Sequence, residues 1–335
     1  MLCGRILSRC ENGKESEVLR LKTGELLMRL QSGDKRALAR LITMVEDKAE
    51  GKNAIMSAVY PQTGKAYVIG ITGSPGAGKS SLTDCLVKEI RKQGLSVGII
   101  AVDPNSPFSG GAILGDRIRM QDHALDPEVF IRSMSTRGSL GGLSHATNEA
   151  IKVMDAFGKD IIIVETVGVG QSELDIMNTA DTTLVVLNPG GGDSIQAIKA
   201  GIMEIADVFV VNKGDLPGAE KVVGEVETML HMRPESDWYP SVVMTSAMQK
   251  KGFNDLWDKI SEHRTYLENS GKLEIVRKER LNNELRDIVE QEICKYVDKI
   301  ISKEDGAELA VKVMAREVDP YSAAAQLLQN HVKLV

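Results

Sequence analysis

Tyr67-Val-Ile-Gly-Ile-Thr72 runs straight into Gly73-Ser-Pro-Gly-Ala-Gly78-Lys79-Ser80-Ser81, and from there into Leu82, Leu86 and Ile90 at helical spacing. An apolar run, a glycine-rich turn and an amphipathic stretch, in that order, predict strand, loop and helix. The turn fits G-x-x-x-x-G-K-[ST]. Its glycines let backbone N–H groups face inward around a phosphate, and the following helix offers its positive end. Gly73, Ser74, Pro75, Gly76, Ala77, Gly78, Lys79, Ser80 and Ser81 are therefore the candidate phosphate-binding residues. Lys79 would reach the β- and γ-phosphates, and the Ser80 hydroxyl would bind Mg2+.

Downstream, apolar runs at 97–102, 129–132, 161–164, 183–187, 208–211 and 242–244 alternate with amphipathic stretches. Most are too continuous for strands with one wet face. They predict an α/β fold of the P-loop NTPase type, a mostly parallel sheet covered by helices on both faces, over residues 61–265. Residues 16–52 place Leu19, Leu26, Leu27 and Leu30, then Leu38, Leu41, Ile42 and Val45, at helical spacing around Gly33-Asp34. That predicts a helix pair in an N-terminal extension, 1–60. Beyond 266 a C-terminal helical region is expected. Leu281, Leu285, Ile288, Val289, Ile293, Val297 and Ile300 draw one stripe along a helix of about 25 residues. The stripe either meets a partner or covers the core of its own chain. A last helix should begin with Pro320 in its first turn.

Composition narrows the function. The 335 residues carry 41 Lys and Arg against 47 Asp and Glu, a net charge of −6, which argues against a general binder of nucleic-acid backbones. The apolar runs are strand-sized, so no membrane span is expected. Cys3, Cys10, Cys85 and Cys294 have no paired spacing and read as free thiols in a reducing compartment. The first residues read as an ordinary start rather than a targeting segment. The expectation is a soluble, cytoplasmic protein.

A magnesium ion beside the phosphate loop needs one or two carboxylates. Glu165 ends the run Ile161–Val164, at the strand end where open α/β sheets bind ligands. Asp103 ends 97–102 in the same way, and Asp116 lies in a glycine-rich segment; all three join Ser80 as candidate metal ligands. Gly168 is placed to let a backbone N–H approach the γ-phosphate. Val208–Val211 leads into Asn212-Lys213-Gly214-Asp215, an N-K-x-D tetrad. An aspartate there can accept from the N1–H and 2-amino groups of guanine, donors that adenine lacks, so the nucleotide is read as GTP or GDP. Ser246 and Ala247 end a later run, where a backbone N–H would meet the guanine O6.

With these residues assembled, the chain resembles the MeaB/ArgK family of P-loop GTPases. The most specific pieces are Val102-Asp-Pro-Asn-Ser106, Gly115-Asp-Arg-Ile-Arg-Met120, Arg137-Gly-Ser-Leu-Gly-Gly142, Glu165-Thr-Val-Gly-Val-Gly-Gln-Ser172, Gly192-Asp-Ser-Ile-Gln-Ala-Ile-Lys199 and Asp319-Pro-Tyr-Ser-Ala323. The resemblance implies a homodimeric GTPase chaperone of an adenosylcobalamin-dependent acyl-CoA mutase, most commonly methylmalonyl-CoA mutase. Such a chaperone gates cofactor loading and protects its client. By the same resemblance, the segment around Asp116 and Arg119 is switch I, and Glu165–Gly168 is switch II. Residues 190–200, with Asp193, Gln196 and Lys199, form a third switch, and 266–335 is the dimerisation arm.

Lys79, Glu165, Gly168, Arg119 and Lys199 are the expected catalytic set. Val169 rather than a glutamine follows Gly168, and Gln171 lies three positions on, so slow intrinsic turnover that a partner accelerates is expected. Two other readings compete. A kinase moving the γ-phosphoryl to a small molecule or transport protein would need an acceptor pocket with a base, and none announces itself. A nickel-type metallochaperone GTPase would need a His-rich tract or Cys-His site, whereas His123, His145, His231, His263 and His331 are isolated.

Overall fold

The computed structural model describes residues 23–103, 123, 125–135, 145–166, 175–190, 203–234 and 236–331. The chain divides into two compact units, Met1–Asn269 and Ser270–Val335.

The first unit opens with α1 (residues 23–31) and α2 (Lys35–Glu46), turning at Gly33-Asp34 as the spacing predicts. The turn is chemically specified: Gly33 takes φ 82°, and Asp34 caps α2 by accepting from Arg36 N at 2.7 Å and Ala37 N at 3.4 Å. A third helix, α3 (Lys52–Val59), lies beyond the helix pair read from the sequence. Its buried residues are Ile55 and Val59, one turn apart, too short a pattern to stand out.

Then come β1 (Tyr67–Gly73), α4 (Lys79–Lys92), β2 (Val97–Asp103), β3 (Val129–Ser135), α5 (His145–Ala156), β4 (Ile161–Glu165), β5 (Thr182–Leu187), β6 (Val208–Val211), α6 (Ala219–His231), β7 (Ser241–Met244) and α7 (Phe253–Asn269). All seven strands pair in parallel, in the order β3-β2-β4-β1-β5-β6-β7. β1, β4 and β5 are buried at every position, as a sheet covered on both faces requires. α4 and α7 pack together over one face. On the other, α5 and α6 close a core built from Val68, Ile100, Ile162, Val185 and Phe209, and α2 and α3 lie against α5.

The entrance edge of the sheet is pinned by a repeated device. Asp160, Asp181 and Asp207 each sit one residue before their strand and accept from a backbone N–H at the start of a neighbouring one: Ser96 N at 2.7 Å, Val68 N at 3.0 Å and Thr183 N at 2.7 Å. Asp155, near the end of α5, accepts from Gly64, Lys65 and Ala66 N at 2.5, 3.3 and 2.9 Å. These carboxylates satisfy buried donors that no ladder partner reaches. Trp238, His263 and Tyr266 stack at the same edge, with His263 Nδ1 2.9 Å from Thr182 Oγ1. Burial pushes the His263 imidazole down to about 4, only partly opposed by the Asp181 carboxylate.

The second unit holds α8 (Lys272–Ile301), α9 (Glu304–Met314) and α10 (Pro320–His331), the last starting at Pro320 as predicted. α8 has 30 residues, about 45 Å of helix, somewhat longer than its stripe implies. Ile300, Leu309 and Ala323 are its buried apolar contacts, and Tyr296 Oη donates to His331 O at 3.0 Å. Most of the stripe is open: Leu281, Leu285, Ile288, Val289 and Ile293 are all 43–63% exposed. No helix among the described residues is long and apolar enough to cross a membrane.

Candidate nucleotide site

β1 delivers the glycine-rich turn at the exit edge of the sheet. Gly73 takes φ 137°, and an added Cβ would lie 2.1 Å from Val186 O on β5, so only glycine fits. Gly78 takes φ 87°, and its Cβ would meet Asn212 Nδ2 at 2.5 Å. α4 begins immediately after, with no side chain capping its N-terminus. Its first-turn N–H groups and dipole are thus directed at the loop.

Lys79 is buried and folds back, its Nζ donating to Gly73 O at 2.7 Å and Ser74 O at 3.1 Å. Carbonyls are modest partners for a buried ammonium; a phosphate is a better one. Ser74 Oγ, also buried, finds no hydrogen-bond partner among the described residues. Pro75, Gly76 and Ser81 are exposed and Ala77 is buried. A cradle with a pinned ammonium, an unpaired hydroxyl and an uncapped helix start fits the phosphates of a nucleotide.

β4 lies beside β1 in register, Ile71 opposite Glu165. This brings the buried Glu165 carboxylate onto α4: Ser80 Oγ donates to Oε1 at 2.6 Å, and Thr83 Oγ1 lies 2.9 Å from Oε2. Ser80 and Glu165, both candidate metal ligands from the sequence, are thus hydrogen-bonded neighbours. Sequence reasoning missed Thr83, although Ser80 and Thr83, three apart on a helix, necessarily share a face. Asp103 is the last residue of β2, opposite Ser135 on β3. Asp116, Arg119, Arg137, Gly168, Gln171, Asp193, Gln196 and Lys199 lie outside the described residues. Among the described residues no cluster of three or more His, Cys, Asp or Glu is arranged to hold a metal ion. A metal here would rest on Ser80, Glu165 and the phosphates, which is how Mg2+ is commonly bound.

β6 and β7 supply the base-reading end. Asn212, fully buried, donates from Nδ2 to Ala77 O at 2.9 Å and Gly78 O at 3.3 Å, and its Oδ1 accepts from Thr245 Oγ1 at 3.3 Å. Asn212 thus ties the β6 and β7 loops to the phosphate loop. Lys213 adopts φ 58° and is half-buried, while Asp215 is exposed, with Ser246 Oγ donating to its Oδ1. Ser246 N donates to Lys251 O at 3.1 Å, so that N–H is already committed and Ala247 remains the candidate donor to a guanine O6. Gly252, at φ 81°, closes this turn where a Cβ would sit 2.1 Å from Met244 O.

The model of the family described as "Methylmalonyl Co-A mutase-associated GTPase MeaB" matches residues 38–302. The chain belongs to the MeaB family. It is 54% identical over 310 residues to a putative GTPase of Pyrococcus abyssi, covering 91% of this chain and 96% of that one. It is 38% identical over 282 residues to the GTPase ArgK of Escherichia coli, covering 82% and 85%. A crystal structure of a LAO/AO transport system kinase superposes with a TM-score of 0.68 at 28% identity, over 92% of this chain and 97% of that one. The MeaB-family chain is a P-loop GTPase, and its seven-stranded parallel sheet is that of the P-loop NTPases.

Proposed function

We propose that this GTPase serves as a chaperone for an adenosylcobalamin-dependent acyl-CoA mutase, with methylmalonyl-CoA mutase the first candidate. GTP hydrolysis would gate delivery of the cofactor to the client and protect the loaded enzyme. The family match over 38–302 carries this reading, since the family is described by its association with that mutase.

The geometry supports the nucleotide half. Lys79 exchanges two loop carbonyls for phosphate oxygens. Ser80 and Glu165 would hold Mg2+, which supplies charge neutralisation at the β- and γ-phosphates when bound. Asn212 keeps the base-reading and phosphate loops at a fixed separation, and Asp215 with Ala247 N–H reads guanine. Gly168, Arg119 and Lys199, with Asp103 and Asp116 as further carboxylates, are proposed to complete the site when the client binds. A cytoplasmic homodimer joined through the open stripe of 270–335 completes the proposal; burying five adjacent large apolar side chains would contribute several kcal/mol.

The test is GTP and ATP hydrolysis by the purified protein, with and without the mutase from the same cell. Slow GTP-selective turnover, accelerated by the mutase, is the expected result. GTP turnover indifferent to any cobalamin mutase would overturn the chaperone role, and a preference for ATP would return the kinase reading.

A further inference from the structure

Glu165 is one methylene longer than the aspartate that would do the same work, and its terminal torsion is broad and roughly two-fold. A hydrogen bond at Oε1 does not by itself fix the position of Oε2. The structure supplies a second grip. Thr83 is completely buried, so water does not compete for its hydroxyl, and that hydroxyl carries one proton between two acceptors. Lys79 O lies at 3.0 Å, the usual back-bond of a helical threonine, and Glu165 Oε2 at 2.9 Å. The carboxylate is the stronger acceptor, because bonds to an ionised group are about twice as strong as neutral ones. Ser80 at Oε1 and Thr83 at Oε2 therefore take one oxygen each.

We propose that Thr83 is a positioning residue for the magnesium site: it fixes Glu165 Oε2, so that Oε1 remains on Ser80 and the Ser80 lone pairs stay turned toward the metal and the phosphates. A threonine buried only for packing would be served by the Lys79 carbonyl alone and would have no reason to lie against a carboxylate 82 positions away. The proposal rests on Ser80 and Glu165 being the metal site.

The experiment follows release of a fluorescent N-methylanthraniloyl GDP from the full-length protein across a Mg2+ titration, with EDTA as the metal-free limit. Wild type, Thr83→Val (which keeps the β-branched shape) and Thr83→Ser are compared. Thr83→Val is expected to raise the Mg2+ needed for half-maximal retention by about five- to tenfold. Release in EDTA should stay within about twofold of wild type, and Thr83→Ser should restore the wild-type titration. In GTP turnover the valine variant should lose kcat at saturating nucleotide while KM stays near wild type. A valine titration identical to wild type overturns the role of Thr83 while leaving the metal site standing. Faster release by the same factor in EDTA and in Mg2+, or failure of the serine to rescue, overturns it as well, because the effect is then on packing. Wild-type release indifferent to Mg2+ overturns the metal site, and the proposal with it.

Discussion

The two edges of the sheet use the same chemistry to opposite ends. At the entrance edge, Asp155, Asp160, Asp181 and Asp207 accept from backbone N–H groups that are part of the fold, Asp160 from Ser96 Oγ as well. At the exit edge, Glu165 and Asp215 hold side-chain hydroxyls, those of Ser80, Thr83 and Ser246. A backbone donor left unmade costs its full desolvation, so the entrance carboxylates have no freedom. A hydroxyl can rotate, keep its bond and offer its lone pairs elsewhere. The position of an acidic residue relative to its strand therefore separates a structural carboxylate from a working one. One residue before the strand it locks the sheet; at or beyond the strand's end it lies beside the segments of the proposed nucleotide site.

The largest test of this division is Lys79→Ala at the exit edge. GTP turnover should fall by about 10³-fold, since a preorganised cation at the phosphates is lost. The melting temperature should move by no more than about 4 °C, because the loop carbonyls that Lys79 holds belong to the phosphate loop and not to the sheet core. A variant that unfolds instead would mean that Lys79 is a structural strut. The opposite profile is expected at the entrance edge. His263 is held neutral there: its folded value of about 4 lies below the ordinary imidazole value near 6.5. The unfolded chain takes up a proton on falling below pH 6.5 while the folded one does not. Stability is thus complete above pH 6.5 and declines by about 3 kcal/mol as the pH drops to about 4. In His263→Gln that decline should be smaller by this amount, read as the pH dependence of the urea midpoint. Asp155→Ala should cost about 2 kcal/mol of stability, by exposing the need of three N–H groups, without altering GDP affinity of the folded fraction.

The exit edge was far more legible in the sequence than the entrance edge. Its residues fall in short spacings: Gly73 to Ser80, and Asn212 to Asp215. Each spacing is set by the local chain, a turn that can wrap a phosphate in the first and a tetrad that follows a strand in the second. The central strands β1, β4, β5 and β6 were legible for a related reason, because full burial on both faces writes a continuous apolar run. Boundaries were extended by one to three residues, most at β3, where Ser133-Met-Ser135 breaks the run yet pairs with Ala101–Asp103. The aspartates of the entrance edge went unread, because Ala180-Asp181-Thr182 looks like any loop acid until Val68, 113 positions away, is placed beside it. Thr83 was hidden in the same way by its 82-residue separation from Glu165. Helix α3 and the exposure of the α8 stripe were beyond the sequence for another reason. Periodicity reports that a face is apolar, and only the tertiary arrangement says whether the chain itself covers it.

The smallest expected effect lies at the far end of the exit edge, where Asp215 is exposed and held by Ser246 Oγ. Asp215→Asn keeps the size of the side chain and one carbonyl acceptor for the guanine N1–H, but it turns a donor toward the 2-amino group, which is itself a donor. GDP affinity should fall by about 30-fold, roughly 2 kcal/mol for one good pairing replaced by an unpaired one. Xanthosine diphosphate carries an oxygen at that position and should bind the variant more tightly than GDP does. The stability of the protein should be unchanged, since the hydroxyl of Ser246 finds an acceptor in the amide oxygen as readily. An unchanged GDP affinity would remove Asp215 from base reading. A loss of stability instead would place Asp215 with Asp155 and its neighbours among the carboxylates that serve the fold, and the rule that strand ends carry the working acids would not extend to β6.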